Sequence, residues 1–306
     1  MKNKLKNILI TIILLIILYY IIKEKEIIKI SIFYGINIWL NYLIPSLFPF
    51  FVLSDIIINY NITSYIPKHL KKIIKKVFNI TDNMLTILLL SIISGFPSCA
   101  RNIKTMYEEK NIDDDEANHL LMFSHFSNPI FILVTIPLIL NINNSYIILI
   151  SHYISCFIIA FFIKNKFKHK ESIKINNSNK INFENILIAS INKSVDSLLT
   201  ICGIIVTFYL LSTTIVDIFN LNEYSSLFIK GIIEITSAID TLKNLNLNKE
   251  YIAVITTCFL SFGGLSIHFQ TKSFLLNTNI KYEYFYIGRI IQTIISGIIC
   301  FILYTI

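Results

Sequence analysis

The feature that most restricts this chain is an alternation of apolar stretches, 15 to 25 residues each, with short Lys- and Asn-rich segments. A helix needs about 20 apolar residues to cross a hydrocarbon core roughly 30 Å thick. Inside lipid a segment must satisfy its own backbone hydrogen bonds, so α-helices are the expected element throughout. Composition points the same way. The hydrophobic set makes up 54% of the chain, only 15% is charged, and the mean hydropathy is +0.65. A soluble domain carries about 25% charged residues. The excess of Ile, Asn and Lys is a compositional bias with no functional meaning of its own.

The net charge of +8 comes from 27 Lys+Arg against 19 Asp+Glu, mostly as lysines in short loops beside apolar runs. That placement follows the positive-inside rule and makes the lipid bilayer the expected partner. No basic stripe interleaves with aromatics outside the apolar runs, so nucleic acid is not an expected partner. The five cysteines are scattered without a Cys-x-x-Cys pair, so no disulfide framework, metal site or haem attachment follows. Nothing resembles an ATP-binding loop or a hydrolytic triad. Neither an enzyme nor a cofactor is expected.

Four regions follow from the pattern. Residues 1–34 read as an anchor: Lys2, Lys4 and Lys6 precede the run Ile8–Ile22, which ends without a small-residue cleavage site. The N-terminus is therefore expected in the cytosol. Residues 35–140 form a first repeat. It holds a span with Pro45, Pro49 and Asp55, then the run Lys68–Phe78, whose apolar residues at helical spacing predict an amphipathic helix on the membrane surface. An apolar run over Met84–Ser98 is too short to cross. Asp113 and Glu116 form a capping box that opens a helix leading into the span Phe123–Leu140, which Ser127-Asn128-Pro129 interrupts. Residues 141–196 contain a connecting span and a basic loop, Lys164–Lys180. Residues 197–306 form a second repeat with a span, a moderately apolar helix around Glu234, a short run ending in Phe262-Gly263-Gly264-Leu265-Ser266, and a final span.

If both basic loops lie in the cytosol, the chain between them crosses an even number of times. Three apolar stretches lie there, so one must enter and leave on the same side. The short run ending in Ser94-Gly95-Phe96-Pro97-Ser98 is the candidate. An offset of 168 residues then sets Gly263 on Gly95, Ser266 on Ser98, Gln270 on Asn102 and Lys272 on Lys104. Counted from a cytosolic N-terminus, the halves have opposite orientation. The expected fold is all-α: a polytopic transmembrane protein with two inverted repeats, each containing a re-entrant helical hairpin, a common plan of secondary transporters.

Such tips place helix ends where irregular backbone survives only if it lines a cavity. Gly95, Gly263 and Gly264 permit a tight turn and close approach of a ligand. Ser98 and Ser266 suit N-cap positions, and the N-termini they cap suit an anion. Arg101 is the strongest candidate contact for a small anionic substrate, with Asn102, His268 and Gln270 beside the tips. Asn128 precedes a mid-span proline, and Glu234 is an acidic residue in an apolar helix. Plainer readings stay open for several of these. Gly-Phe-Pro can simply end a helix, Arg101 can be a snorkelling cytosolic charge, His268 a packing residue, and Glu234 a wet residue at the interface. His119, His125 and His152 show no ligand spacing.

Five motifs occur in order: Leu43-Ile-Pro-Ser-Leu-Phe-Pro-Phe50, Ser94-Gly-Phe-Pro-Ser98, Ser127-Asn-Pro129, Glu234-Ile-Thr236, and Phe262-Gly-Gly-Leu-Ser266 with Gln270. Together they resemble the YlbJ-type sporulation integral membrane proteins of endospore-forming Firmicutes, which carry nucleoside-transporter gate domains. The likeness runs from about residue 35 to residue 300. Two positions depart from the family pattern: Cys99 and Ala238 each stand where a glycine is expected. The chain is also shorter than typical members, mainly in the central loop. The resemblance implies passage of dipicolinate, a dicarboxylate, from mother cell to forespore, with the protein in the outer forespore or mother-cell membrane. A coupling ion (H+ or Na+) and a homo-oligomer fit such a protein. A nucleoside transporter and a non-transporting scaffold for spore-envelope assembly are the alternatives.

Overall fold

The computed structural model describes residues 2–60, 66–167, 169 and 182–305. Among these the chain is helical, and no strand occurs. Most of the basic loop expected over Lys164–Lys180 lies outside the described residues. The opening helices are α1 (Lys2–Lys23), α2 (Lys25–Ile38) and α3 (Ile44–Asn59), the last two joined through a widened, π-helical turn at Trp39–Leu43. A second widened turn, Phe131–Thr135, leads into α8 (Ile136–Leu140). Pro45 and Pro137 each sit in the first turn of the helix that follows. Proline has no N–H and its ring presses on the carbonyl four residues back, so a wider turn before it relieves the clash.

The remaining helices are α4 (Lys68–Phe78), α5 (Asp82–Ser94), α6 (Ser98–Glu108), α7 (Asp114–Phe123), α9 (Ser145–Ile163), α10 (Phe183–Ile218), α11 (Glu223–Ile233), α12 (Ile235–Asn244), α13 (Lys249–Phe262), α14 (Gly264–Leu275) and α15 (Tyr282–Thr305). The amphipathic α4 ends at Asn79 in the left-handed conformation and meets α5 at 92°. The capping box forms as expected: the Glu116 amide donates to Asp113 Oδ1 at 2.9 Å, and the Asp113 amide to Glu116 Oε2 at 3.0 Å. Thr81, the N-cap of α5, donates its hydroxyl to Glu116 Oε1 at 2.6 Å, tying the starts of α5 and α7 together. Burial raises the Glu116 carboxyl above its ordinary value.

Five helical stretches are long and apolar enough to cross a membrane: Lys25–Asn59, Ser145–Ile163, Phe183–Ile218, Lys249–Leu275 and Tyr282–Thr305. A sixth arises if the bent pair α4–α5 counts as one. The long α10 packs along α2 and α3, while α15 packs along α9, α13 and α7. Small residues line the second set of contacts: Ser151, Ser155, Ser261, Ser296 and Gly297 are all buried. Without a hydrophobic force between helices in lipid, such residues let backbones approach closely. Where α15 meets the end of α7, a Cβ on Gly288 would lie 2.0 Å from the Met122 carbonyl oxygen.

The two glycine tips differ. At the first, α5 and α6 fold against one another through Gly95. At the second, α13 and α14 run on through Gly263 as one apolar stretch of 27 residues. The helix expected around Glu234 is also different, because it breaks there. Glu234 has extended backbone (φ −149°, ψ 117°), closing α11 and capping α12.

Candidate functional site

Four interruptions in helices set the geometry: Gly95–Pro97, Ser124–Asn128, Glu234 and Gly263. The segment between α7 and the helix beginning at Pro129 is irregular backbone inside an apolar bundle, so each polar group there needs a partner. The partners come from three elements: α15, the first tip and α9. His125 carbonyl accepts from Arg289 Nη1 at 2.8 Å, and Phe126 carbonyl from the Phe96 amide at 2.6 Å. The Ser127 amide donates to His152 Nε2 at 2.9 Å, while Tyr153 hydroxyl lies 3.0 Å from the Ser127 carbonyl. His152 Nε2 must therefore be the unprotonated nitrogen, leaving Nδ1–H to face Ser261 Oγ at 2.9 Å.

Asn128 uses its whole side chain. Its Oδ1 accepts from the amides of Ile130 (2.8 Å) and Phe131 (3.3 Å), capping the new helix. Its Nδ2 donates to the carbonyls of Ser94 at 3.2 Å and Ser46 at 3.4 Å. The first tip is thereby stitched to the break and to α3. Gly95 sits at φ +74°, and a Cβ there would lie 2.3 Å from the Asn128 nitrogen, so both its conformation and its space demand glycine.

At the second pair of interruptions Glu234 is the organising residue. It is 1% exposed. Its Oε2 accepts the Ser237 amide at 3.0 Å and the Thr236 hydroxyl, and its Oε1 accepts from Ser266 Oγ at 3.4 Å. Gly264, at φ +64°, lies against this break: a Cβ there would be 3.2 Å from the Ile233 carbonyl oxygen.

Between the interruptions lies a cavity of about 50 Å³, lined by Ser46, Phe96, Pro97, Ser127, Asn128, Phe131, Glu234, Thr236 and Gln270 among apolar residues of α3, α10 and α14. It has room for a few water molecules. Phe131 and Thr236 also border a second cavity of about 360 Å³, lined by Tyr34, Asn37, Tyr42, Thr135, Asp240 and Lys243. The small chamber thus adjoins a larger, more polar one. Three helix N-termini border the small chamber: α6, α12 and the helix after Asn128. Two are capped by their own side chains, whereas no side chain caps α6. Ser127 Oγ and Gln270 Nε2 are buried and, among the described residues, without a partner.

The sequence-derived candidates divide accordingly. Asn128, Glu234 and Gln270 line the cavity, and Ser266 reaches it through Glu234. Gly95, Gly263 and Gly264 shape the tips. Ser98 and Ser266 are not N-caps; Pro97 and Gly263 hold those positions. Ser98 turns its hydroxyl back to the Gly95 carbonyl at 2.5 Å. Arg101 is spent elsewhere. It forms a bidentate pair with Asp55 at 2.9 and 2.7 Å, donates to Ser197 Oγ at 3.1 Å and lies over the Phe51 ring. His268 is held between Tyr282 hydroxyl and the Phe262 carbonyl, as a packing residue would be. Asn102 is buried on α6, which packs against α14, with neither side-chain atom partnered and no place on the cavity. Ser46, Ser127 and Thr236 lie within the quoted motifs without being singled out there as contacts, and His152 and Arg289 carry no sequence signal beyond being polar in apolar surroundings.

Fold and site together define the class of a multi-pass α-helical membrane protein, with a small, mainly apolar chamber bordered by interrupted helices and a few polar side chains. Among characterised proteins the chain is similar to the sporulation integral membrane protein YlbJ of Bacillus subtilis (strain 168), at 22% identity over 311 residues, 88% of this chain and 76% of that protein. No family model matches the chain, and no solved structure matches it.

Proposed function

We propose that the protein is a non-enzymatic membrane transporter that passes a small anionic metabolite, dipicolinate, from the mother cell towards the forespore during sporulation. One observation carries the transport reading: interruptions in three helical stretches, at Phe96–Pro97, Ser127–Asn128 and Glu234, converge on a small chamber that Gln270 also borders and that adjoins a larger, more polar cavity. Irregular backbone at such a place is tolerated where it lines a cavity, and in transporters it forms the substrate site. The uncapped N-terminus of α6 and the unpartnered Gln270 amide supply donors for a carboxylate. The dicarboxylate comes from the resemblance alone, and the sporulating cell from the resemblance and from the name of the relative above. In this reading the N-terminus is cytosolic and the two halves are inverted repeats that have diverged at their tips. The first keeps a re-entrant turn. Solute moves when the small chamber widens past Phe131 and Thr236 into the larger one.

The test is the dipicolinate content of spores lacking the gene, complemented at matched membrane levels by wild type, Gln270→Leu or Ser127→Ala. Ser127 Oγ and Gln270 Nε2 have no partner among the described residues. Transport predicts empty spores for the deletion, full recovery with wild type, and recovery reduced about tenfold with Gln270→Leu, the loss of one charged-group hydrogen bond. Normal dipicolinate in the deletion strain sinks the substrate assignment. One observation favours a neutral solute such as a nucleoside: Arg101, on the helix that follows the first tip, is consumed by Asp55. On that reading labelled nucleoside, and not dipicolinate, enters vesicles containing the protein. A scaffold for spore-envelope assembly predicts that both cavity variants behave as wild type.

A further inference from the structure

We infer that Glu234 is a cation-uptake site, taking up one monovalent positive charge, a proton or a sodium ion, that moves with the transported solute. The coupling rests on the transport reading above; the site rests on its own geometry. Glu234 is 1% exposed and borders the small cavity. Among the described residues no lysine, arginine or histidine forms an ion pair with it. Only neutral donors meet its oxygens: the hydroxyls of Thr236 and Ser266 and the Ser237 amide.

The titratable groups on the surrounding elements do not neutralise it either. Tyr34 of α2, Tyr209 of α10 and Asp240 of α12 are phenols and a carboxyl, none of them a source of positive charge. Lys230 of α11 donates to Thr241 at 2.9 Å, and Lys243 borders the larger cavity beside Asp240. His268 of α14 is engaged by Phe262 and Tyr282, and α8 carries no titratable side chain. A buried carboxylate without a cation is costly, and the cost is relieved by taking one up.

A second observation, independent of the carboxylate, points to an occupant. Ser127 and Gln270 line the same cavity, are each 1% exposed, and among the described residues present Oγ and Nε2 without partners; the hydroxyl oxygen can ligate a cation or its water, and the amide N–H can donate to that water or to the carboxylate. The chamber's volume suits an ion with one or two waters, or a protonated carboxyl with its water. Coupling then follows from charge. An anionic solute entering beside an ionised Glu234 is repelled, and a cation loaded on Glu234 removes that repulsion. Uptake of solute and cation therefore becomes mutually favourable, and reciprocally so.

The experiment uses full-length protein reconstituted in lipid vesicles. Without any solute, infrared difference spectra are recorded for a choline-to-sodium exchange at fixed pH and for a pH step in choline. Wild type shows a carboxyl change in one of the two, which names the ion, and Glu234→Gln lacks it. Ser266→Ala, which removes one donor to the carboxylate, moves the midpoint of that change severalfold in ion concentration. This variant decides the matter where Glu234→Gln fails to reach wild-type levels. In uptake assays with labelled dipicolinate, a tenfold inward gradient of the named ion raises accumulation by wild type about tenfold for one-to-one coupling, and accumulation by Glu234→Gln ignores the gradient. Spectra that are the same for wild type and Glu234→Gln in both exchanges overturn the site. A gradient response shared by both proteins overturns the coupling. A carboxyl change without dipicolinate uptake supports the cation site and overturns the transport reading alone.

Discussion

The two glycine tips began as equivalents in the sequence and ended as different devices. The first, at Gly95, is held by backbone. Phe96 donates to Phe126, Asn128 donates to Ser94, and there is no room for a Cβ. The second, at Gly263 and Gly264, continues one apolar stretch and leans on a break whose organiser is a carboxylate, Glu234. Close backbone contact makes the first region a fixed abutment. The second is joined mainly by side-chain hydroxyls, which can re-form in another arrangement. The contrast assigns rigidity to the first tip and charge to the second.

The largest expected effect strikes the first tip. Gly95→Ala must displace the Asn128 backbone and hold an L-residue at φ +74°. A loss of more than about 4 kcal/mol, the range reserved for severe backbone or core faults, is expected; thermal unfolding in detergent reads it. A tip that tolerates alanine would mean that Asn128 is free to move and the contrast is wrong.

Next comes the ion pair behind that tip. Arg101→Gln or Asp55→Asn alone strands a buried charge and costs about 3–5 kcal/mol. The double variant recovers much of that loss, and a double-mutant cycle measures it. If Arg101 instead contacted solute, the single variant would keep its stability and lose transport.

Asn128→Asp keeps the helix cap but loses both donated bonds, to Ser94 and Ser46. About 2–3 kcal/mol is expected, from two buried carbonyls left short of a donor. Asn128→Ala additionally loses the cap and should fall further; equal losses would remove the stitch from the account.

Gly264→Ala is the mildest. The contact at 3.2 Å is with one carbonyl oxygen at a break, and the cost of φ +64° for alanine is about 1–2 kcal/mol. An effect as large as that at Gly95 would show that the second tip is as rigid as the first.

Much of the outline could be read from residues alone. The capping box at Asp113 and Glu116, the amphipathic α4 and the glycine tips are local, and local hydrogen bonds and periodicities are written in consecutive residues. The break at Glu234 was less legible. Gly231-Ile-Ile-Glu-Ile-Thr reads as a continuous helix unless the carboxylate is known to cap the segment after it. Arg101 misled for a related reason. A lone arginine near a tip looks available until Asp55, 46 residues earlier, is found in contact with it. An acidic residue in one apolar stretch and a basic residue beside another were the clue, since buried charges pair.

By itself the sequence determined that this chain is all-helical, apolar enough to enter a membrane several times, and punctuated by glycine, proline and capping residues at fixed places. Those properties follow from hydropathy and local backbone chemistry, which need no knowledge of neighbours. Only the tertiary structure decided which polar residues face one another: Asn128 against Ser46 across 82 residues, His152 beneath Ser127, and Glu234 with Gln270 around one chamber while Arg101 turns away. Side chains in an apolar bundle choose partners by proximity, because an unmet polar group there is costly, and proximity between distant segments is a property of packing.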